Sequence, residues 1–381
     1  MLASLLSATL HGLEGRLVRV EVDVAPGLPG FTIVGLADTA LQEARERVRG
    51  AIRNSGYDYP PRRITVNLAP ADLRKGGASL DLAIALGILV GSEQVRAAGR
   101  WAVLGELSLG GDLRPVPGML PMVAALSRKR VRRVVVPAEG AEEANLAGGI
   151  EVLPAETLAQ AASLLSAGRR GRTKSGPPRV ELADGIGRDS DAASSQPRKH
   201  ADFQRGPDLA EVRGQLEARR ALEVALAGGH CMVMIGPPGS GKTLLARTVP
   251  DLLPPLADEE ARVATIVASV AGAAPLRELV RQRPFRSPHH TISYAAMVGG
   301  GPHLSPGEVT MANDGVLFLD ELPEFDRATL EALRQPIEDG HVTIARVGRV
   351  AVFPSRFQLL AAMNPCPCKW KRQRAGQGSG T

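Results

Sequence analysis

The apolar run Cys231-Met-Val-Met-Ile235 leads directly into Gly236-Pro237-Pro238-Gly239-Ser240-Gly241-Lys242-Thr243. That order suits the binding of a polyphosphate. Glycines without side chains let backbone N–H groups wrap the phosphate oxygens, Lys242 can reach the β- and γ-phosphates, and the Thr243 hydroxyl can ligate Mg²⁺. Leu244-Leu-Ala-Arg-Thr248 reads as the following helix, whose N-terminus adds a partial positive charge. A second element is Gly315-Val-Leu-Phe-Leu-Asp320-Glu321. A continuous apolar run is the pattern of a buried parallel strand, and acids at its C-terminal end lie where open α/β sheets bind ligands. Asp320 is placed to hold Mg²⁺ through water, and Glu321 to orient and deprotonate an attacking water.

The elements that must position these residues follow from pattern and turn signals. A helix is predicted over 209–227, then the strand before the glycine-rich loop, then an acidic, alanine-rich helix over 256–273. Thr329 to Asp339 reads as helix. His341 to Phe353 reads as a β-hairpin turning at Val347-Gly348, with Arg346 and Arg349 near its tip. Phe357-Gln-Leu-Leu-Ala-Ala-Met-Asn364 reads as a strand ending in a polar residue. Between the second helix and the acidic strand lies Arg283-Pro-Phe-Arg286-Ser-Pro-His289-His290. Its two histidines are adjacent, so they do not share a helical face as a metal-binding pair would.

Upstream, residues 1–168 read as a separate α/β domain. Leu17-Val-Arg-Val-Glu-Val-Asp-Val24 alternates like a half-buried strand, and Phe31–Val34, Ile64–Leu68 and Arg132–Val136 are further strands. Helices are expected over Thr39–Ser55, with Asp38 as N-cap, over Ser79–Val90 and over Ala155–Ser166. A hairpin is expected over 103–109, turning at Gly110-Gly111-Asp112. Residues 169–206, rich in Gly, Pro, Ser and mixed charge, read as a flexible basic linker. Arg128-Lys-Arg-Val-Arg-Arg133 reads as a solvated helix-to-strand turn.

Composition narrows the class. The chain has 381 residues, a formal net charge of +6 and three cysteines. Residues 169–206 carry nine Lys/Arg against five Asp/Glu, and residues 366–381 carry four Lys/Arg and no acid. The remainder is slightly acidic, so the basic balance comes from the linker and the tail rather than from a folded face. An odd, small cysteine count argues against a disulfide framework and for a reducing compartment. No apolar run reaches a membrane span and no signal peptide is apparent, so a cytoplasmic location is expected.

Taken together, the motifs resemble the AAA+ ATPases, and among them the ComM/YifB family of magnesium-chelatase-like proteins. The resemblance rests on Gly236–Thr243, Arg283–His290, Met297-Val-Gly-Gly-Gly301, Gly315–Phe325 and Ala361-Ala-Met-Asn-Pro365, and upstream on Gly27–Leu36, Asn67–Leu73 and Gly105–Leu109. It covers residues 1–368 apart from the linker. It implies a Lon-protease-like (ribosomal S5 domain 2-like) α/β domain, followed over 207–368 by a P-loop AAA+ three-layer α/β/α domain lacking its lid. It further implies ATP and Mg²⁺ as ligands, Asp320 and Glu321 as the Walker-B pair, and Asn364 as the sensor bonded to the γ-phosphate and the lytic water. The family implies a homo-oligomeric ring, a hexamer, acting as a motor on DNA in branch migration during natural transformation. In such a ring the hairpin would present Arg346 and Arg349 to DNA phosphates.

The pattern departs from the family after Cys368, where residues 369–381 show neither apolar periodicity nor the family's cysteines, arginine motif and helical lid. The expectation is a shortened ATPase core with weak or no turnover, because an arginine finger is worth roughly 10³–10⁵ in rate. Cys366 and Cys368 make half a zinc site, since structural zinc takes four ligands, and Cys231 reads as a buried strand residue. Two rival activities fit parts of the pattern. Proteolysis needs a serine beside a base. Ser79 falls near the Lon nucleophile position but reads as a helix N-cap, and Leu120 stands where the lysine should be. Metal insertion into a porphyrin shares the ATPase match but not the N-terminal domain. A nucleotide-binding subunit without motor activity is the third alternative.

Overall fold

The computed structural model describes residues 1–365 except 36–38, 72, 74, 76–77, 98, 168–205, 273–275, 302–303 and 347–348, together with the side chains of 39–42 and 349. Asp38, the Val347-Gly348 turn, all but Gly206 of the 169–206 linker, and the 366–381 tail with Cys366 and Cys368 therefore lie outside the described residues.

The N-terminal half is built on nine strands: β1 (Leu2–His11), β2 (Glu14–Ala25), β3 (Gly30–Val34), β4 (Arg63–Ala69), β5 (Ala102–Val103), β6 (Glu106–Leu107), β7 (Leu113–Arg114), β8 (Arg133–Pro137) and β9 (Glu151–Ala155). Seven of them form a mixed sheet in the order β3-β4-β2-β1-β5-β8-β9. In β2 the alternation is clean. Val18, Val20, Val22 and Val24 are buried on one face, as the period of two requires. The helix Asp81–Gly91 packs on that face and is buried on nearly all sides, while the helix Met119–Arg128 covers the other. Gly15 allows the second contact. A Cβ there would lie 2.2 Å from the Pro121 carbonyl oxygen.

The C-terminal half carries β10 (Met232–Ile235), β11 (Phe285–Arg286), β12 (Gly299–Gly300), β13 (Ser305–Pro306), β14 (Gly315–Leu319), β15 (His341–Arg346), β16 (Arg349–Pro354) and β17 (Phe357–Met363). A parallel sheet runs β10-β17-β14-β11. β14 is wholly buried, as its unbroken apolar run predicts. Among the described residues β10 is an edge strand, and one of its two faces is uncovered: Val233 is 52% and Ile235 65% exposed, while Met234 on the other face is buried. Cys231, expected in the core, is exposed and precedes the strand.

Other expectations are revised in detail. The helix predicted over 209–227 is a short 3₁₀ turn, Leu209–Glu211, and a helix, Leu216–Gly228. They are separated because Gly214 and Gln215 take left-handed φ of 70° and 54°. The helix expected over 329–339 is two, Arg327–Glu331 and Arg334–Asp339. Pro336 has no amide to continue the ladder there. The 341–353 hairpin forms as β15 and β16, with Arg346 opposite Arg349. The terminal helix of the first half begins at Leu158, and Glu151–Ala155 ahead of it is strand. Among the described residues, no helix is long and apolar enough to cross a membrane.

Among the described residues, the two halves touch around Glu143 and under the β15–β16 hairpin, and Arg277 Nε pairs with Glu142 at 3.1 Å. Ser269, at the end of the helix Asp258–Val270, donates its hydroxyl to Glu143 (2.6 Å), and its carbonyl accepts the Gly118 amide (2.9 Å). Leu13, in the β1–β2 turn, packs with Leu304, Ala351 and Phe353 beneath the β15–β16 hairpin.

Candidate active site

The chemistry-bearing residues expected from the sequence meet at the C-terminal ends of three adjacent parallel strands. β17 lies between β10 and β14, with Met363 level with Ile235 and Ala361 level with Leu319. The residues that follow these strands, Gly236, Asn364 and Asp320, thus leave the sheet side by side. This is the edge at which open parallel sheets bind ligands.

The loop 236–241 is shaped by its glycines. Gly239 and Gly241 take φ of 77° and 85°, a region L-residues enter at a cost. A Cβ added at either would meet no atom within 4 Å, so that side of the loop is open to a polyphosphate. Pro237 and Pro238 stiffen its first turn, and Gln215 holds its far end through Nε2–H to Ser240 O (2.9 Å). Lys242 Nζ donates to Gly236 O (2.8 Å), Pro237 O (3.0 Å) and Asn364 Oδ1 (3.0 Å). The ammonium is thus folded over the loop it belongs to, and the strand-end amide touches it directly.

Thr243 Oγ1 donates to Asp320 Oδ2 at 2.6 Å, and Asp320 Oδ1 accepts the Glu321 amide at 3.0 Å. A hydroxyl and a carboxylate at this spacing are hard oxygen donors. They fit Mg²⁺, which takes one or two protein oxygens and completes its shell with water and phosphate. Among the described residues no three His, Cys, Asp or Glu side chains cluster as a metal cage. Such a cage is not what a phosphate-bound Mg²⁺ needs. Glu321 sits at φ 53°, ψ 47°, a strained setting for a non-glycine residue. Its carboxylate lies 3.5 Å from His290 Nδ1.

Arg346 is exposed at the end of β15, and the Arg349 side chain lies outside the described set. Ser79, in a 3₁₀ turn, is buried, and its hydroxyl donates to Ala8 O (3.3 Å). The N-cap of the next helix is Leu80 and has no side-chain cap bond, so the capping role expected of Ser79 is not the observed one. Leu120 is buried and gives its amide to Glu143 Oε1. Lys75 is buried and donates to Pro70 O. The Ser79 hydroxyl is thus turned to a main-chain carbonyl rather than to a base.

Sequence reasoning missed Gln215, the Arg286–Glu308 pair (2.6 and 2.8 Å) and the His290–Glu321 contact. The last has a signal in the sequence, the adjacent pair His289-His290.

The family model described as magnesium chelatase, subunit ChlI, matches residues 208–379, and that of subunit ChlI of Mg-chelatase matches residues 20–140. The chain is 45% identical over 358 residues to the uncharacterized protein YifB of Escherichia coli K12, covering 93% of this chain and 66% of that one. It is 42% identical over 368 residues to the competence protein ComM of Haemophilus influenzae, covering 96% and 69%. Lon protease 1 of Hydrogenovibrio crunogenus is 24% identical over 136 residues, 34% of this chain and 17% of the protease. The chain spans about two thirds of the length of YifB and ComM. Two family models, one on each side of residues 169–206, and relatives that run through both halves agree: the chain belongs to the ComM/YifB family of magnesium-chelatase-like proteins.

Proposed function

We propose that this chain binds MgATP at the loop 236–243 and hydrolyses it, and that in its oligomeric ring it drives movement on DNA. The observation that carries the reading is the meeting of Lys242, Thr243, Asp320, Glu321 and Asn364 at neighbouring strand ends. Backbone amides of 236–243 and the Lys242 ammonium would hold the β- and γ-phosphates. Their phosphate contacts would replace the carbonyl and amide contacts that Lys242 makes here. Thr243 and Asp320 would hold Mg²⁺, which when bound neutralises charge developing on the phosphate oxygens. Asn364 would orient the γ-phosphate and the attacking water. Glu321 would accept that water's proton.

DNA as the partner is supported by the relative described as a competence protein, which aligns along 96% of the chain. Metal insertion is the weaker reading, because a relative that aligns along nearly the whole chain, through both halves, is described as a competence protein. Motor activity, ring assembly and a cytoplasmic site of action belong to this same proposal.

Titration of a fluorescent ATP analogue with Mg²⁺ tests the first step. Wild-type chain and Glu321→Gln are expected to bind alike, while Lys242→Ala loses roughly 10-fold or more, the value of a charge-assisted contact. Hydrolysis, with and without DNA, is expected to vanish in Glu321→Gln. Equal affinity in Lys242→Ala, or undiminished hydrolysis in Glu321→Gln, would remove the proposal.

A further inference from the structure

We propose that the N-terminal half carries a strip that grips nucleic-acid phosphates, built from Arg45, Arg49 and Arg53 on the helix Thr39–Asn54 with the Tyr59 hydroxyl beside them. The proposal rests on the DNA reading above and adds to it a surface on the other half of the chain.

The helix divides its faces by residue type. Ala44, Val48, Ala51 and Ile52 are buried, and Arg47 turns inward to Asp81. Arg45, Arg49 and Arg53 recur every four residues, so they line one flank, at steps of about 6 Å along the axis. Arg45 and Arg53 are exposed and Arg49 is half-buried. Tyr59 sits against this flank. The Arg49 guanidinium lies over its ring, 5.9 Å from the centroid. Burial pushes the Tyr59 phenol up, while Arg45, Arg49 and Arg53 all pull it down. One ring thus feels all three cations, which makes the periodic row a shared surface.

These cations are short of acids. Arg45 has Glu46 at 3.6 Å. Among the described residues no carboxylate pairs with Arg49 or Arg53, and Arg49 Nε is buried without a hydrogen-bond partner. Like charges four residues apart on a helix repel, a strain that a bound polyanion relieves. Arg53, in the last turn, complements the negative end of the helix dipole, which accounts for one arginine and not for three. The slightly acidic average of the folded part conceals the strip, because position rather than sum makes a patch. A nucleic-acid strand offers a phosphate at every step, which suits a regular row of cations. Each guanidinium can fork two phosphate oxygens, and the Tyr59 hydroxyl can donate to another. The carboxylates of an acidic protein surface have no such repeat.

The test is binding of a fluorescein-labelled DNA duplex to the full 381-residue chain, followed by anisotropy over a salt series. Wild type is compared with the double variants Arg45→Gln with Arg53→Gln, and Arg45→Lys with Arg53→Lys. Both positions are exposed, so the fold is retained, and thermal melting checks this. The Gln variant is expected to bind about 10-fold more weakly at roughly 50 mM salt, with the slope of log affinity against log salt shallower by about 2. Its affinity for a fluorescent ATP analogue is expected to equal that of wild type. The Lys variant keeps the charge and is expected to keep the slope. If wild type binds DNA and the Gln variant shows the same slope, the inference falls and the DNA reading stands. Equal losses in the Gln and Lys variants also overturn it, since they would report a change of shape rather than of charge. Polyglutamate that displaces the duplex as well as unlabelled DNA does, at equal charge concentration, would assign the strip to an acidic protein instead. If wild type binds no DNA, the DNA reading falls and the inference falls with it.

Discussion

Asp81 has no exposed side-chain surface, and its two oxygens meet Arg47 Nε at 2.7 Å and Nη2 at 3.2 Å. Burial pushes its carboxyl up to about 6 against the pull of Arg47, and the carboxylate in turn holds the Arg47 guanidinium above its usual range. The folded state therefore binds a proton more tightly than the unfolded chain. Stability from this group is full below the unfolded value near 3.8 and declines as pH rises through about 6. Urea unfolding at a series of pH values should show the decline, on the order of 2 kcal/mol. Asp81→Asn should flatten that part of the curve, and an identical slope in both proteins would count against it. This pair was not legible in the sequence, because its members are 34 residues apart and only the folded packing of two helices joins them. Lys242 and Thr243 were legible because a phosphate-binding loop would draw its chemistry from contiguous residues, and Asp320 because it ends an unbroken apolar run, although it meets Thr243 across 77 residues. The same reasoning could locate Glu321 at a strand end but not His290 beside it, which depends on how two strands lie in register.

At the scale of elements, period and turn residues identified β2, β14, β17 and the β15–β16 hairpin. They failed where a helix-compatible run is interrupted by backbone geometry, as at Gly214-Gln215, and where burial depends on neighbours. Val233 and Ile235 look like core residues, yet lie on an edge strand. The hairpin is the element that carries the DNA proposal. Its inner face, with Val342, Ala351 and Phe353, is buried, while Val350 and Val352 face outward and Arg346 is exposed at its end. Each arginine that neutralises one phosphate contributes about −0.9 to the slope of log affinity against log salt. Replacing both Arg346 and Arg349 by Ala should weaken duplex binding and make that slope shallower by about 1 to 2, with ATP-analogue affinity retained. A slope equal to that of wild type would place the DNA contacts elsewhere.

Across the whole molecule, the described residues join the N-terminal half to the C-terminal half through few but specific contacts. Glu143 is almost fully buried, and one of its oxygens accepts both the Leu120 amide and the Ser269 hydroxyl. A carboxylate buried in this way depends on its donors, because removing one leaves charge without compensation. Leu120 gives its backbone amide to this joint. The second contact, Leu13 under Ala351 and Phe353, ties the β1–β2 turn to the hairpin proposed to face DNA. The N-terminal half thereby touches the helix Asp258–Val270 and the hairpin at once. If these contacts act as a joint, weakening one should loosen both halves locally without unfolding either. Ser269→Ala should cost on the order of 1–3 kcal/mol, the value of a hydrogen bond to a charged group. Hydrogen exchange should rise at the Gly118 and Leu120 amides and at the C-terminal end of the helix Asp258–Val270, while the amides of β2 and β14 stay protected. Unchanged exchange at Gly118 would mean that the halves are held together by other surfaces, and loss of protection in β14 would mean that the joint supports the C-terminal core itself.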